Sequence, residues 1–422
     1  MRREAHSRAS RLICYDWIDK SHKDCSMNIH PVVVIWLLCA GPAWGVLGAW
    51  GLPRIYRRKG LEDAPARFIG GMAGLTLGPL ALVPLWRFIP DLRRWYWSGG
   101  TGVLVAVELY GLFALLNPKN LCVTNSGYVA DQVANGLTIG FIYALIAIGL
   151  TLIYSVQGVV SFAHGQFYML GGYVSYYFLQ LFVDINPIVG IPIAGLATML
   201  IGFAFERLFL RPMHQGRIER AGEYAILITF GLGFFMEYTV LAAVGPFSQK
   251  APAFTQMRVL TIGPLALLPN RLVAGAVGIL LTLALLYLLY RTWLGRALRA
   301  VSMDKQAAAV VGINPLTMNT LSFGIGTMLA GMAGAALIPV FTWVPWVGGP
   351  SAVRSFVIIV LGGMGSVPGA FIGGLIIGLV EALGAGCYPD PSKGAAYKTA
   401  FGLVIFAVML LLRPTGLFGR EP

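Results

Sequence analysis

Residues 132–183 read QVANGLTIGFIYALIAIGLTLIYSVQGVVSFAHGQFYMLGGYVSYYFLQLFV and hold no Asp, Glu, Lys or Arg. An uncharged run of 52 residues is long enough for about two bilayer crossings at roughly 20 residues each. Residues 306–353 form a second such run and 355–380 a third. All three are continuously apolar and rich in Leu, Ala and Gly. They do not alternate, so the spanning elements are helices, one of the two structures that satisfy their own backbone in lipid. The expected fold class is an all-α polytopic membrane protein.

The whole chain agrees. Hydrophobic residues make up 57% of its 422 residues and charged residues 12%, against about 25% charged in a soluble domain. Mean hydropathy is +0.73. Too few charges remain to wet a globular surface. The net charge of +13 is not a nucleic-acid footprint here, because the cations lie mostly between apolar runs, where they hold loops in the cytoplasm. A soluble protein released by a cleaved signal peptide is excluded, since the apolar runs recur along the chain.

Spans are expected at about 31–52, 68–89, 98–116, 132–156, 161–182, 187–209, 223–246, 272–290, 316–341, 353–364, 367–386 and 398–413. That gives about eight core helices plus two or three extra N-terminal ones. The 353–364 piece is short and runs into Gly362-Gly363-Met364-Gly365-Ser366-Val367-Pro368-Gly369. It is expected to be a broken or re-entrant element buried by its neighbours. Gly136 with Gly140, Gly369 with Gly373, and Gly374 with Gly378 have the GxxxG spacing of close helix seams.

Basic loops orient the bundle. Arg207, Arg211, Arg217 and Arg220, then Arg291, Arg296, Arg299 and Lys305, then Arg413 and Arg420 fall on one side, expected to be cytoplasmic. The loop with Arg54, Arg57, Arg58, Lys59 and Arg67 disagrees, so the topology of residues 1–120 stays open. Residues 1–27 form a polar tail, with either Met1 or Met27 as the start. Residues 28–120 add hydrophobic segments ahead of the main body at 130–420.

Catalytic signatures are missing. There is no GxxxxGK[ST] phosphate loop, HExxH or GxSxG. The cysteines (Cys14, Cys25, Cys39, Cys122 and Cys387) show no metal spacing. Cys122 and Cys387 fall in loops placed outside, where a disulfide is conceivable. The chain is therefore expected to be no enzyme, to hold no metal and to carry no cofactor of its own.

Residues 291–316 are basic, then Ala-rich, then stopped by Gly312 and Pro315. A short helix between two spans has the shape of a docking element, and an ordinary connecting loop is the plainer alternative. Here a resemblance enters. Residues 136–173 closely resemble the opening of the LivH-type permeases of branched-chain amino-acid ABC transporters. LRAVSMDKQAAAVVGIN at 298–314 resembles their cytoplasmic coupling segment, and VLGGMGSVPGAFIGGLIIGLVEAL and RPTGLFGR resemble their C-terminal helices and tail. Ser161 stands where the family usually has Asn.

The resemblance implies a multi-pass subunit of the cell inner membrane that moves branched-chain or related amino acids by alternating access. It implies a second permease subunit, the same or different, two cytoplasmic ATPases that bind the ATP, and a periplasmic binding protein. Asp304, Ala307, Ala308, Ala309 and Gly312 would form the ATPase-coupling loop, the alanines being small enough to admit a partner's surface. Urea, short amides or other amino acids are alternative cargoes, and a secondary transporter is the rival of a different class.

Polar groups inside the spans complete the list. His164 is either a pathway residue or an imidazole bonded to backbone near a helix end. Tyr143, Tyr154, Tyr168 and Tyr173 are packing or interface residues, with Tyr143 also a pathway candidate. Glu206 is expected at the cytoplasmic boundary. Glu237 and Glu381 either bond a neighbouring helix or meet a substrate ammonium.

Overall fold

The computed structural model describes Cys122 and residues 125–182, 185–255, 260–262, 265–388, 391–412 and 415–419. The polar tail, the three expected spans before residue 120, the 54–67 loop, Cys14, Cys25, Cys39 and both candidate starts lie outside the described residues.

Helix α1 (Ser126–Gln157) is capped by Asn125, whose side chain accepts from the Gly127 and Tyr128 amides, and ends at Gly158 in left-handed conformation. Helix α2 is His164–Leu181 and α3 is Gly190–Phe205. A π turn, Glu206–Leu210, carries α3 on to Arg211–His214. Helix α4 (Ala221–Val244) follows. A small antiparallel hairpin in the loop that follows pairs β1 (Leu260–Ile262) with β2 (Leu265–Leu267), within an otherwise all-helical bundle. Helix α5 is Pro269–Arg291. Two short helices, α6 (Trp293–Met303) and α7 (Lys305–Val310), lead into α8 (Pro315–Leu337). Helices α9 (Gly348–Gly362), α10 (Val367–Gly386) and α11 (Pro391–Leu412) complete the bundle. Seven of the described helical segments are long and apolar enough to cross a membrane.

The expected element at 353–364 needs correction. It belongs to a longer helix, α9, that begins at Gly348. The irregular backbone lies on both sides of it. Before it, residues 338–347 are non-helical apart from one 3-10 turn at Pro345–Val347. After it, Gly363 and Gly365 take φ of 100° and 84°, a region open to Gly at no steric cost. Apolar continuity located a span here but not the start of its helix.

Helix α1 packs against α5, α8, α9 and α10, while α8 also meets α2 and α3. Lipid offers little hydrophobic drive for helix association, so close backbone approach has to supply it. A Cβ on Gly374 would meet the backbone of Ala144, and one on Gly378 the backbone of Gly140. Gly369 and Gly373 face Gly362 and Ile358 of α9 in the same way. The three GxxxG pairs are thus two seams, α1 on α10 and α10 on α9. Outward faces stay apolar, with Leu227 75%, Phe235 69%, Leu280 65% and Tyr287 68% exposed.

Cys122 and Cys387 form a disulfide, with Cα atoms 5.4 Å apart. It ties the start of α1 to the end of α10, at the opposite end of the bundle from the basic loops. An impermeant maleimide added from that side should label neither residue until a reductant is added. Labelling without reduction would reject the bond.

Candidate functional site

Helix α2 does not begin at a membrane face. His164, its first residue, donates from Nε2 to the Ile146 carbonyl at 2.9 Å. Ile146 lies eleven residues before the end of α1, about 16 Å at helical rise. The uncapped start of α2 therefore sits inside the bundle, reached by the non-helical residues 158–163. Helix α9 starts beside it. A Cβ on Gly165 would meet the Gly348 carbonyl, and one on Gly348 the Gln166 side chain. Two helix N-termini thus meet at depth, with only glycine fitting at the contact. Gln166 donates to Glu237 Oε2 of α4 at 2.9 Å, and its own carbonyl oxygen has no partner among the described residues. Broken helices whose N-termini meet near the midplane are how many transporters place backbone dipoles toward cargo.

A second polar cluster ties four helices together. Glu381 of α10 is 1% exposed. Its Oε1 accepts from Arg354 Nε of α9 at 2.9 Å. Its Oε2 accepts from the Tyr143 hydroxyl of α1 at 3.0 Å and lies 3.6 Å from Lys398 Nζ of α11. Arg354 also donates to Thr399 at 3.0 Å, and its guanidinium stands 5.6 Å from the Tyr143 ring centroid. Both oxygens of Glu381 are thus engaged within the chain, by two cations and a phenol.

The loop candidates form a third group, at the basic end. Asp304 caps α7, its Oδ1 accepting from the Gln306 amide at 2.7 Å and the Ala307 amide at 3.0 Å. Gly312 ends the element at φ 85°, with nothing within 4 Å of a Cβ built there. Glycine is required by the backbone angle and not by space. Lys305 Nζ donates to the Gln157 carbonyl at 3.2 Å, pinning α7 to the end of α1, and burial lowers its pKa below the ordinary lysine value. One expectation is corrected. Ala308 is 3% exposed and turned into its own chain, so it offers no surface to a partner. Ala307 and Ala309 are exposed. So are Met303 at 84%, Val310 at 88% and Val311 at 73%.

The structure brings Tyr143 and Glu381 together. His164 is set one turn further along α1, and the 304–312 loop is a separate feature. Arg354, Lys398 and Gln166 were missed from sequence. Arg354 had a signal: it is the single charge between two long uncharged runs. Lys398 and Gln166 had none, since each gains its place only from the helix it faces. Glu206 sits at the basic end as expected, accepting from the Thr320 hydroxyl.

Residues 132–413 match the family described as branched-chain amino acid transport system / permease component. The chain is similar to the high-affinity branched-chain amino acid transport system permease protein BraD of Pseudomonas aeruginosa, 32% identical over 69% of this chain and 95% of that relative. It is similar to LivH of Escherichia coli K12 at 32% identity, over 69% of this chain and 96% of that protein. LivM of the same organism is 26% identical over 54% of this chain and 58% of its own length. No solved structure matches the chain.

Proposed function

The chain belongs to the branched-chain amino acid transport permease family, and on that premise we propose that it is the membrane-spanning permease subunit of an ATP-binding-cassette importer in the inner membrane. It carries branched-chain or related amino acids inward by alternating access. The nucleotide sites are on two cytoplasmic ATPases, a second permease completes the channel, and a periplasmic protein delivers cargo. Urea and short amides remain alternative cargoes.

One observation carries this reading. Met303, Val310 and Val311 are exposed around a short capped helix at the end where the Arg and Lys residues gather. Arg296, Arg299 and Lys305 on that loop suit a position in water, beyond the apolar zone. Apolar side chains exposed there, on an element held by Asp304, Lys305 and Gly312, suit a partner protein and not lipid. The two N-termini buried at Gly165 and Gly348 suit a cargo bearing a carboxylate.

The test is made on the docking element. Gly312→Val strains the turn by roughly 1–3 kcal/mol and should abolish substrate-stimulated ATP hydrolysis while leaving membrane insertion intact. Val310→Lys with Val311→Lys should lose the ATPases on co-purification. Ala308→Trp would clash with this chain's own core and says nothing about docking. If the first two variants keep full ATPase assembly and uptake, the loop is an ordinary connector. Uptake in vesicles without ATPases, driven by an ion gradient, would reject the importer itself.

A further inference from the structure

We propose that the cleft between the basic ends of α3 and α8 binds a phosphate group, and that its occupant is the headgroup of an anionic phospholipid. The cleft has a volume of about 210 Å³ and is lined by Phe203, Arg207, Arg211, Thr317, Thr320 and Leu321 among others. Water occupies about 30 Å³ in the liquid, so the five heavy atoms of a phosphate fit with room to spare.

Both cations stand without a direct side-chain partner among the described residues. Neither Arg207 nor Arg211 makes a hydrogen bond or ion pair among the described residues, and Arg211 Nε is buried without a partner. Arg220, by contrast, pairs with Glu223 at 3.3 Å. Thr317 also lines the cleft. Glu206, next to Arg207 in sequence and bonded to the lining Thr320, offsets one of the two charges and leaves the cleft cationic. Its Oε2 is taken by Thr320. The first amides of α8 are not free, since Asn314 Oδ1 takes those of Leu316 and Thr317. Binding would fall to the two guanidiniums, whose forked donors match phosphate oxygens.

Lipid is favoured over free phosphate by what adjoins the arginines. Leu208 and Phe209, on the same π turn, are 69% and 43% exposed, and Leu200 and Ile201 continue an exposed apolar track up α3 at 63% and 39%. Acyl chains can lie along that track while the headgroup sits in the cleft. Basic pockets between spans at the cytoplasmic face are where such headgroups bind.

The full chain is reconstituted in phosphatidylcholine containing a minority of phosphatidylglycerol, re-extracted in mild detergent, and its retained lipids are measured. Wild type should retain phosphatidylglycerol over phosphatidylcholine, and Arg207→Gln with Arg211→Gln should lower that enrichment roughly tenfold. Arg207→Lys with Arg211→Lys should restore a large part of it, which separates loss of the site from loss of the fold. Arg217→Gln with Arg220→Gln should change nothing. Equal enrichment in the Gln variant overturns the proposal, as does an equal loss in the Arg217/Arg220 pair, which would make the effect diffuse charge. Thermal protection by inorganic phosphate equal to that by phosphatidylglycerol would assign the cleft to a free anion and overturn the lipid assignment.

Discussion

Glu381→Gln should lower the stability of the bundle by about 3–5 kcal/mol, the cost of leaving a buried ion pair half-removed. Arg354 and Lys398 then face each other without the carboxylate both of them meet, and the Tyr143 hydroxyl loses its acceptor. Lipid offers no replacement, which raises the cost above that of a surface pair. The measurement is the unfolding midpoint in detergent, with Glu381→Gln, Arg354→Gln and the double variant compared. Because the groups act as one network, the double variant should cost clearly less than the two single costs added together. Strict additivity would show that the four helices are held by packing alone and that the cluster contributes little.

A leucine at Gly378 should remove most of the folded protein. Its Cβ would meet the backbone of Gly140 and Gly136, and backbone atoms cannot rotate aside as a side chain can. Overpacking costs about 1–3 kcal/mol where neighbours yield, and more where a helix pair must separate along its length. Gly374→Leu should behave alike, since the backbone of Ala144 is in its way. Gly231→Leu is the matched control: the site is inside α4, and a Cβ there has nothing within 4 Å. Equal folded yield for Gly378→Leu and Gly231→Leu would show that the α1–α10 seam is not closely packed.

The spans within the uncharged runs 132–183, 306–353 and 355–380 are decided by the chain itself. Absence of charge over bilayer length is a local property, and lipid permits few backbone solutions. The caps are local too: Asn125, Asp304, Asn314 and Ser366 each bond an amide within three residues. So is the turn at Gly312, where an Ala-rich helix runs into a glycine. The same holds for the basic end, since loop cations orient the helices between them.

Depth and facing were not local. That α2 starts inside the bundle depends on His164 reaching Ile146, a carbonyl 18 residues away, and uncharged sequence reads the same at the midplane as at the edge. That α9 begins at Gly348 beside it follows from a contact between Gly165 and Gly348, 183 residues apart. Ala307, Ala308 and Ala309 are chemically identical, yet only the middle one turns into the core, because helical rotation sets which face meets α8. Glu381 was visible as a costly acid, but its three partners come from α1, α9 and α11. Tertiary packing alone chose them, because a buried charge is tolerated only where several helices bring opposite charge and hydrogen bonds to the same point.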